Sequence, residues 1–126
     1  MLSSLYKFLN NNPLLVQLIG QNRVFPIFTT DTSKPSLVYN AKSLKAEVST
    51  YEILFSINII WTNFDTILQI EKILNQLLHF ADSSIFCNLD NYIFNSLNAG
   101  GTSCIYNPQD KLYEYTINYK ITYKEN

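Results

Sequence analysis

The residues of this chain that could do chemistry are few, and their spacing does not suit it. His79 is the single histidine. It has no Cys, Asp or Glu at the spacing that gathers metal ligands on one helix face, as HExxH does. It reads as a solvated residue near a helix end. Cys87 and Cys104 form no CxxC, so no zinc site is expected. They read as reduced thiols, neither disulfide-bonded nor metal-bound. Asp65 with Glu71, and Asp82 with Asp90, are scattered carboxylates without the pairing that acid–base work needs. Gly100-Gly101 is an isolated pair at a hairpin position, and neither a P-loop nor a GxSxG motif is present. Alternating tyrosines near the C-terminus have faces able to stack on bases or sugars. Packing of a half-buried sheet face accounts for them better. The chain therefore does not read as an enzyme, and no cofactor or metal is expected.

The elements that carry these residues are legible. Tyr51, Ile53, Phe55, Ile57, Ile59 and Trp61 are apolar at every second position, which predicts a strand with one wholly apolar face. Ile67, Ile70, Leu74, Leu77, Leu78 and Ala81 then fall at helical spacing, with Gln69, Lys72, Gln76 and His79 on the opposite side. Asn63 is placed as the N-cap, and Asp65 suits the positive end of the helix dipole. This strand and the helix from Asp65 to Ala81 are expected to cover each other's apolar faces and form the core.

Upstream, Leu2, Leu5, Phe8 and Leu9 predict a short amphipathic helix that stops in Asn10-Asn11-Asn12. Asn12-Pro13 reads as N-cap and first helical residue of a second helix over Leu14 to Ile19, ended by Gly20. Arg23 to Pro26 is expected to be extended, Thr29 to Ser33 a loop, and Leu37-Val38-Tyr39 a short strand. Asn40 to Thr50, with Leu44 and Val48 its apolar members, reads as a hairpin connection with ragged strand ends. Downstream, Asp82 to Asn91 reads as a loop. Strands are expected at Tyr92 to Leu97 and Thr102 to Tyr106, with turns at Asn98 to Gly101 and Asn107 to Asp110. In the last strand, Leu112 to Lys124, the residues Tyr113, Tyr115, Ile117, Tyr119, Ile121 and Tyr123 share one face. Glu114, Thr116, Asn118, Lys120, Thr122 and Lys124 share the other. Its length exceeds the usual ~5–6 residues, so it is expected to extend past its neighbours or to pair in part with another subunit.

The 126 residues suit one domain, residues 1–126, with a single core. Only 15% are charged against 47% apolar, so much of the surface is neutral and polar. Two readings of that stay open: a coding bias toward Asn, Ile, Lys and Tyr, or a surface partly given to an interface. The net charge of −1 gives no electrostatic case for nucleic-acid binding. No apolar run reaches the ~18 residues of a membrane span, and Met1 to Asn12 does not read as a signal peptide. The expected class is α+β: an antiparallel-rich sheet packed on one face by a long helix, with short N-terminal helices.

The order of local motifs resembles a family. A short helix pair ends in Leu18-Ile19-Gly20 and is followed by Asn22-Arg23-Val24-Phe25-Pro26. Lys34-Pro35-Ser36-Leu37-Val38-Tyr39 comes next. Then come a long strand ending at Trp61, a helix entered through Thr62-Asn63-Phe64-Asp65, and Asn107-Pro108-Gln109-Asp110-Lys111-Leu112-Tyr113 opening a long alternating strand. Over about Leu2 to Tyr123 this is similar to the tail completion, or tail terminator, proteins of long-tailed bacteriophages and prophages, which include tail-to-head joining proteins. The resemblance implies a hexameric ring that caps the tail tube and docks to the head connector, with DNA only as cargo, no membrane, no catalysis and no cofactor. The protein would then belong to the virion at the head–tail interface, and to the host cytoplasm during assembly. The last strand, the Asn40 to Thr50 connection and the N-terminal helix are taken as contact elements. Lys42, Lys45, Glu47, Glu114, Lys120 and Tyr123 are the candidate subunit or partner contacts. The rival reading is a small cytosolic binding module that uses its aromatic sheet face as a ligand or protein pocket.

Overall fold

The computed structural model describes residues 1–47 and 49–126. Helices α1 (Leu2–Asn10), α2 (Pro13–Ile19) and α3 (Phe64–Leu78) pack on a sheet of β1 (Val24–Pro26), β2 (Ser36–Ala46), β3 (Tyr51–Trp61), β4 (Cys87–Leu89), β5 (Tyr92–Asn98), β6 (Ser103–Asn107) and β7 (Leu112–Glu125). The strand order is β1-β2-β3-β7-β5-β4, with β6 also on β7. Only the β1–β2 pair is parallel among the described pairings. The class is the expected α+β, with an antiparallel-rich sheet.

The core forms where the change of period places it. Ile53, Phe55, Ile57 and Ile59 of β3 are buried together with Ile67, Ile70, Leu74 and Leu78 of α3. Leu77 is half-buried against the same cluster. Asn63 accepts the Thr66 N–H at 3.2 Å, so the N-cap is made as its side chain predicts. The helix stops at Leu78, however, and Ala81 lies exposed beyond it. The Phe80 N–H donates to Ser96 O at 2.8 Å, so pairing with β5 takes the backbone that another helical turn would have used. At the N-terminus, Asn12 Oδ1 accepts from the Leu14 and Leu15 N–H groups, and Pro13 opens α2. Leu5 and Leu9 of α1, with Leu15 and Ile19 of α2, join the same core.

β7 is the strand on which the sheet converges. One edge pairs with β3 from Trp61↔Tyr113 to Tyr51↔Tyr123. The other edge carries β6 over Leu112 to Thr116 and β5 over Tyr119 to Glu125. β5 and β6 thus lie end to end along one neighbour, joined through Gly100 and Gly101, both at positive φ. Asn118 Nδ2 donates to both glycine carbonyls, and a Cβ on Gly101 would sit 3.2 Å from that nitrogen. The expectation that β7 extends past its neighbours or pairs in part with another subunit is therefore corrected: β3 and β5 already flank its second half.

The Asn40 to Thr50 connection needs correction as well. β2 continues to Ala46, with an irregularity in its pairing to β3 between Ser43 and Lys45. Its polar composition hid the strand, because one sheet face is open to water and an edge strand needs few apolar residues. Val48 lies outside the described residues. The expected Asp82 to Asn91 loop contains the short strand β4, which pairs Cys87 with Phe94 and Leu89 with Tyr92.

Candidate functional site

His79, the residue most able to act as a base by type, has a structural task. It caps α3, and its Nδ1 accepts the Asn98 N–H at 2.9 Å. Cys87 and Cys104 are free and exposed, each on a different short strand. Asp82 is held by Ser84, which donates both its N–H and its hydroxyl to the carboxylate. Among the described residues no three His, Cys, Asp or Glu side chains gather as metal ligands would.

The aromatic face of β7 is filled by protein. Tyr119 is buried and donates its hydroxyl to Asn75 Oδ1 at 2.7 Å. Tyr115 donates to Glu71 Oε2 at 2.8 Å. Tyrosines four apart on the strand thus meet acceptors four apart on the helix, and His79 extends the same helix row to β5. Phe64 closes over Tyr113 and Tyr115, with ring centroids 5.3 and 5.9 Å away. Burial, then the hydrogen bond to Glu71, pushes Tyr115 up to about 12. Burial, then the Glu71 charge, raises Tyr119 as well. The rival expectation of a ligand pocket on this face is corrected, because α3 occupies the space such a ligand would need.

The opposite face of the sheet is open, and its register sorts the six candidate contacts. Lys42 and Lys120 flank Leu54 on β2 and β7, and Lys45 opposes Glu52 in the adjoining row. Lys120 pairs with Glu52 at 3.1 Å, and Lys45 with Glu47 at 2.9 Å. These residues cluster at one end of the open face. Glu114 lies toward the other end, where its Oε1 accepts from Asn58 Nδ2 at 3.2 Å. Tyr123 is on the covered face, stacked on Tyr51 at 5.2 Å and edge-on to Tyr92 at 5.6 Å. The six do not form one site. The backbone beside the lysines is another matter: β1 covers β2 only from Leu37 to Tyr39. Among the described residues no strand pairs with the outer edge of β2 from Asn40 to Ala46.

A second surface has no counterpart among the sequence expectations. Arg23 is only 6% exposed, and its guanidinium gathers the loop between β1 and β2. Nε donates to Pro35 O at 3.2 Å, and Nη1 to Asp31 Oδ2 at 2.7 Å. Nη2 reaches Asp31 O, Lys34 O and Ser36 Oγ at 2.9, 3.0 and 2.6 Å. The group also lies 5.0 Å over the Phe25 ring. Hydrogen bonds from Ser33, then from Arg23, hold the Asp31 carboxyl down to about 2. The loop so anchored holds Ile27 and Phe28 out in solvent, each 71% exposed. The only local signal was a pair of large apolar residues directly before the polar run Thr29 to Ser33.

No family model matches the sequence, and no curated protein matches it. The fold is similar to that of a chain in a solved structure described as "Virion of native gene transfer agent (GTA) particle". The two are 14% identical, the match covers 97% of this chain and 92% of that one, and the TM-score is 0.67. At that identity the likeness establishes a shared fold from end to end.

Proposed function

We propose that this chain is a structural protein of a phage or prophage particle, acting by assembly and not by catalysis. More specifically, it is a tail terminator that closes as a hexameric ring on the tail tube, stops its growth and joins it to the head connector. DNA passes through the ring as cargo. The observation that carries the reading is the fold shared along almost the whole chain with a component of a gene transfer agent virion. The order of motifs in the sequence supports the terminator role in particular. The outer edge of β2 from Asn40 to Ala46, unpaired among the described residues, supports self-association, since an open strand edge is a template for pairing with another chain. Lys42, Lys45 and Glu47 stand beside that edge and are proposed as subunit contacts. Glu114, Lys120 and Tyr123 are proposed to act through their side chains, because the β7 backbone is occupied.

The test is deletion of the gene from the phage or prophage that encodes it, followed by electron microscopy of the particles. Tails of irregular, extended length beside filled, tailless heads are expected, with normal particles restored by supplying the protein. Normal joined particles without it would refute the reading.

A further inference from the structure

We propose that the open edge of β2 in one copy of this chain pairs with the outer edge of β6 in the next, as an antiparallel seam of residues 40–43 against residues 104–107. This rests on the ring reading above and adds which strands meet and in what register.

Most outward edges of the sheet are closed. On β1, Asn10 Oδ1 takes the Val24 N–H at 3.3 Å, and Pro26 has no N–H to offer. On β5, Ser96 O accepts from Phe80 and the Asn98 N–H goes to His79. β4 is only three residues long. Among the described residues the long open edges are those of β2 beyond Tyr39 and of β6, which pairs with β7 alone. β6 lacks the usual guards of a free edge. It has no charge and no proline over residues 103–107, and Ile105 and Tyr106 stand 65% and 47% exposed.

The two edges fit in backbone and in face. The Leu37 N–H donates to Arg23 O and the Ile27 N–H to Tyr39 O, so odd residues of β2 turn their backbone groups outward, Ala41 and Ser43 among them. The Ala99 N–H donates to Asn118 O, so even residues of β7 turn theirs toward β5 and β6. Ile105, opposite Glu114, then bonds inward, and Cys104 and Tyr106 point outward. Strands β2, β3, β7 and β6 alternate in direction. Because their number is even, a rotated copy meets β6 antiparallel, with its open face on the same side. Ala41 then opposes Tyr106 and Ser43 opposes Cys104, each pair exchanging two backbone hydrogen bonds. Both stretches also end together. β1 covers Tyr39 and Pro108 follows Asn107, while the irregularity of β2 begins after Ser43.

The charges match as well. In this register Lys42 of the next copy lies in one row of the open face with Ile105 and Glu114. Neither Lys42 nor Glu114 has an ion pair among the described residues. Two strand spacings separate them, roughly 10 Å, which the two side chains span together, with the lysine stem covering Ile105. Pairing β2 with β2 instead would set the lysines of both copies side by side and stop at a dimer. The β2–β6 contact is heterologous and repeats from subunit to subunit.

The experiment places Lys42→Cys and Ile105→Cys in a Cys87→Ser, Cys104→Ser background. The two positions oppose each other as a non-hydrogen-bonded pair, where side chains are closest. Oxidised in air, the double variant should give a ladder of linked trimers and larger species, and a mixture of the two single variants a one-to-one dimer. A control with Tyr106→Cys in place of Ile105→Cys, its thiol on the other face, should link on the order of tenfold less. In sedimentation velocity, Lys42→Glu and Glu114→Lys should each weaken self-association about threefold or more, and the two together should restore it. A ladder no stronger than the control overturns the seam, as does a double charge reversal no better than either single one. As many dimers from Lys42→Cys alone as from the mixture would mean that β2 pairs with itself. Ser43→Pro, which removes an outward N–H where an edge strand tolerates proline, should keep the circular dichroism of the parent and fail to restore normal particles to the gene deletion. Normal particles with it leave the terminator reading standing and remove the seam. Normal particles without the gene remove that reading, while a ladder that still forms upholds the seam.

Discussion

Replacing Arg23 with Ala tests how the β1–β2 loop is held. The guanidinium makes five hydrogen bonds, four of them to backbone or hydroxyl oxygens. Hydrogen bonds to charged groups contribute about 1.5–3 kcal/mol each, but summing five overstates the loss. Asp31 is half-exposed, so its carboxylate regains water. The Ser36 hydroxyl lies within 3.0 Å of Asp31 O and 3.1 Å of Lys34 O, so it can supply one of those carbonyls. The uncompensated losses are the donors to Pro35 O, to Ser36 Oγ and to whichever of Asp31 O and Lys34 O the hydroxyl does not serve, together with the packing on Phe25. That places Arg23→Ala at about 3–5 kcal/mol, the range for breaking a buried charged network. At about 2.1 cal/mol/K per residue the entropy of unfolding is roughly 0.26 kcal/mol/K, so the melting point should fall roughly 10–20 °C. Differential scanning calorimetry reads this directly. Asp31→Ala should cost far less, because an exposed ion pair is weak. Arg23→Lys should recover only a minor part, since a point charge cannot span the fork's acceptors. A melting point for Arg23→Ala within about 3 °C of the parent refutes the account. Equal losses for Arg23→Ala and Asp31→Ala would mean that the ion pair, not the collected carbonyls, holds the loop.

Two further outcomes concern the core. Leu74→Ala removes a fully buried side chain facing β3 and should cost about 2–5 kcal/mol in denaturant unfolding; an unchanged midpoint would overturn the β3–α3 arrangement. The phenols of Tyr115 and Tyr119 titrate above their unfolded value near 10, so the protonated form stabilises the fold below that pH, and this contribution is lost as pH rises toward the folded value of about 12 for Tyr115. Unfolding followed from pH 9 to 12.5 should show stability falling within that window, and a Tyr115→Phe variant with an equally steep fall would count against the raised Tyr115 phenol, whose first cause is burial.

What could be read from the sequence was local or strictly periodic. Tyr51 to Trp61 and Ile67 to Leu78 announce their faces through spacing alone, and Asn12-Pro13 and Asn63 are caps whose chemistry lies within three residues. Alternation in Leu112 to Lys124 gave the covered face of β7 but not its neighbours, since half-burial looks the same beside another subunit or beside β5. The far half of β2 escaped because an edge strand with a wet face carries little apolar signal. β4 escaped because its three residues are a strand only through their pairing with β5. The Arg23 network escaped for a different reason. Its acceptors lie 8 to 13 residues away and are mostly backbone oxygens, which carry no residue identity to search for.

The position of β7 bears on when this protein can begin to work. Strands β3, β5 and β6 all leave the ribosome before the strand that joins them, and chains fold from the N-terminal side as they are made. Until Leu112 to Glu125 emerges, β1-β2-β3 and β4-β5 are separate pieces with nothing between them. Contacts of such sequence separation also form slowly. A chain halted before Leu112 therefore lacks the seam that joins β3 to β5 and β6, and its sheet stays in two pieces.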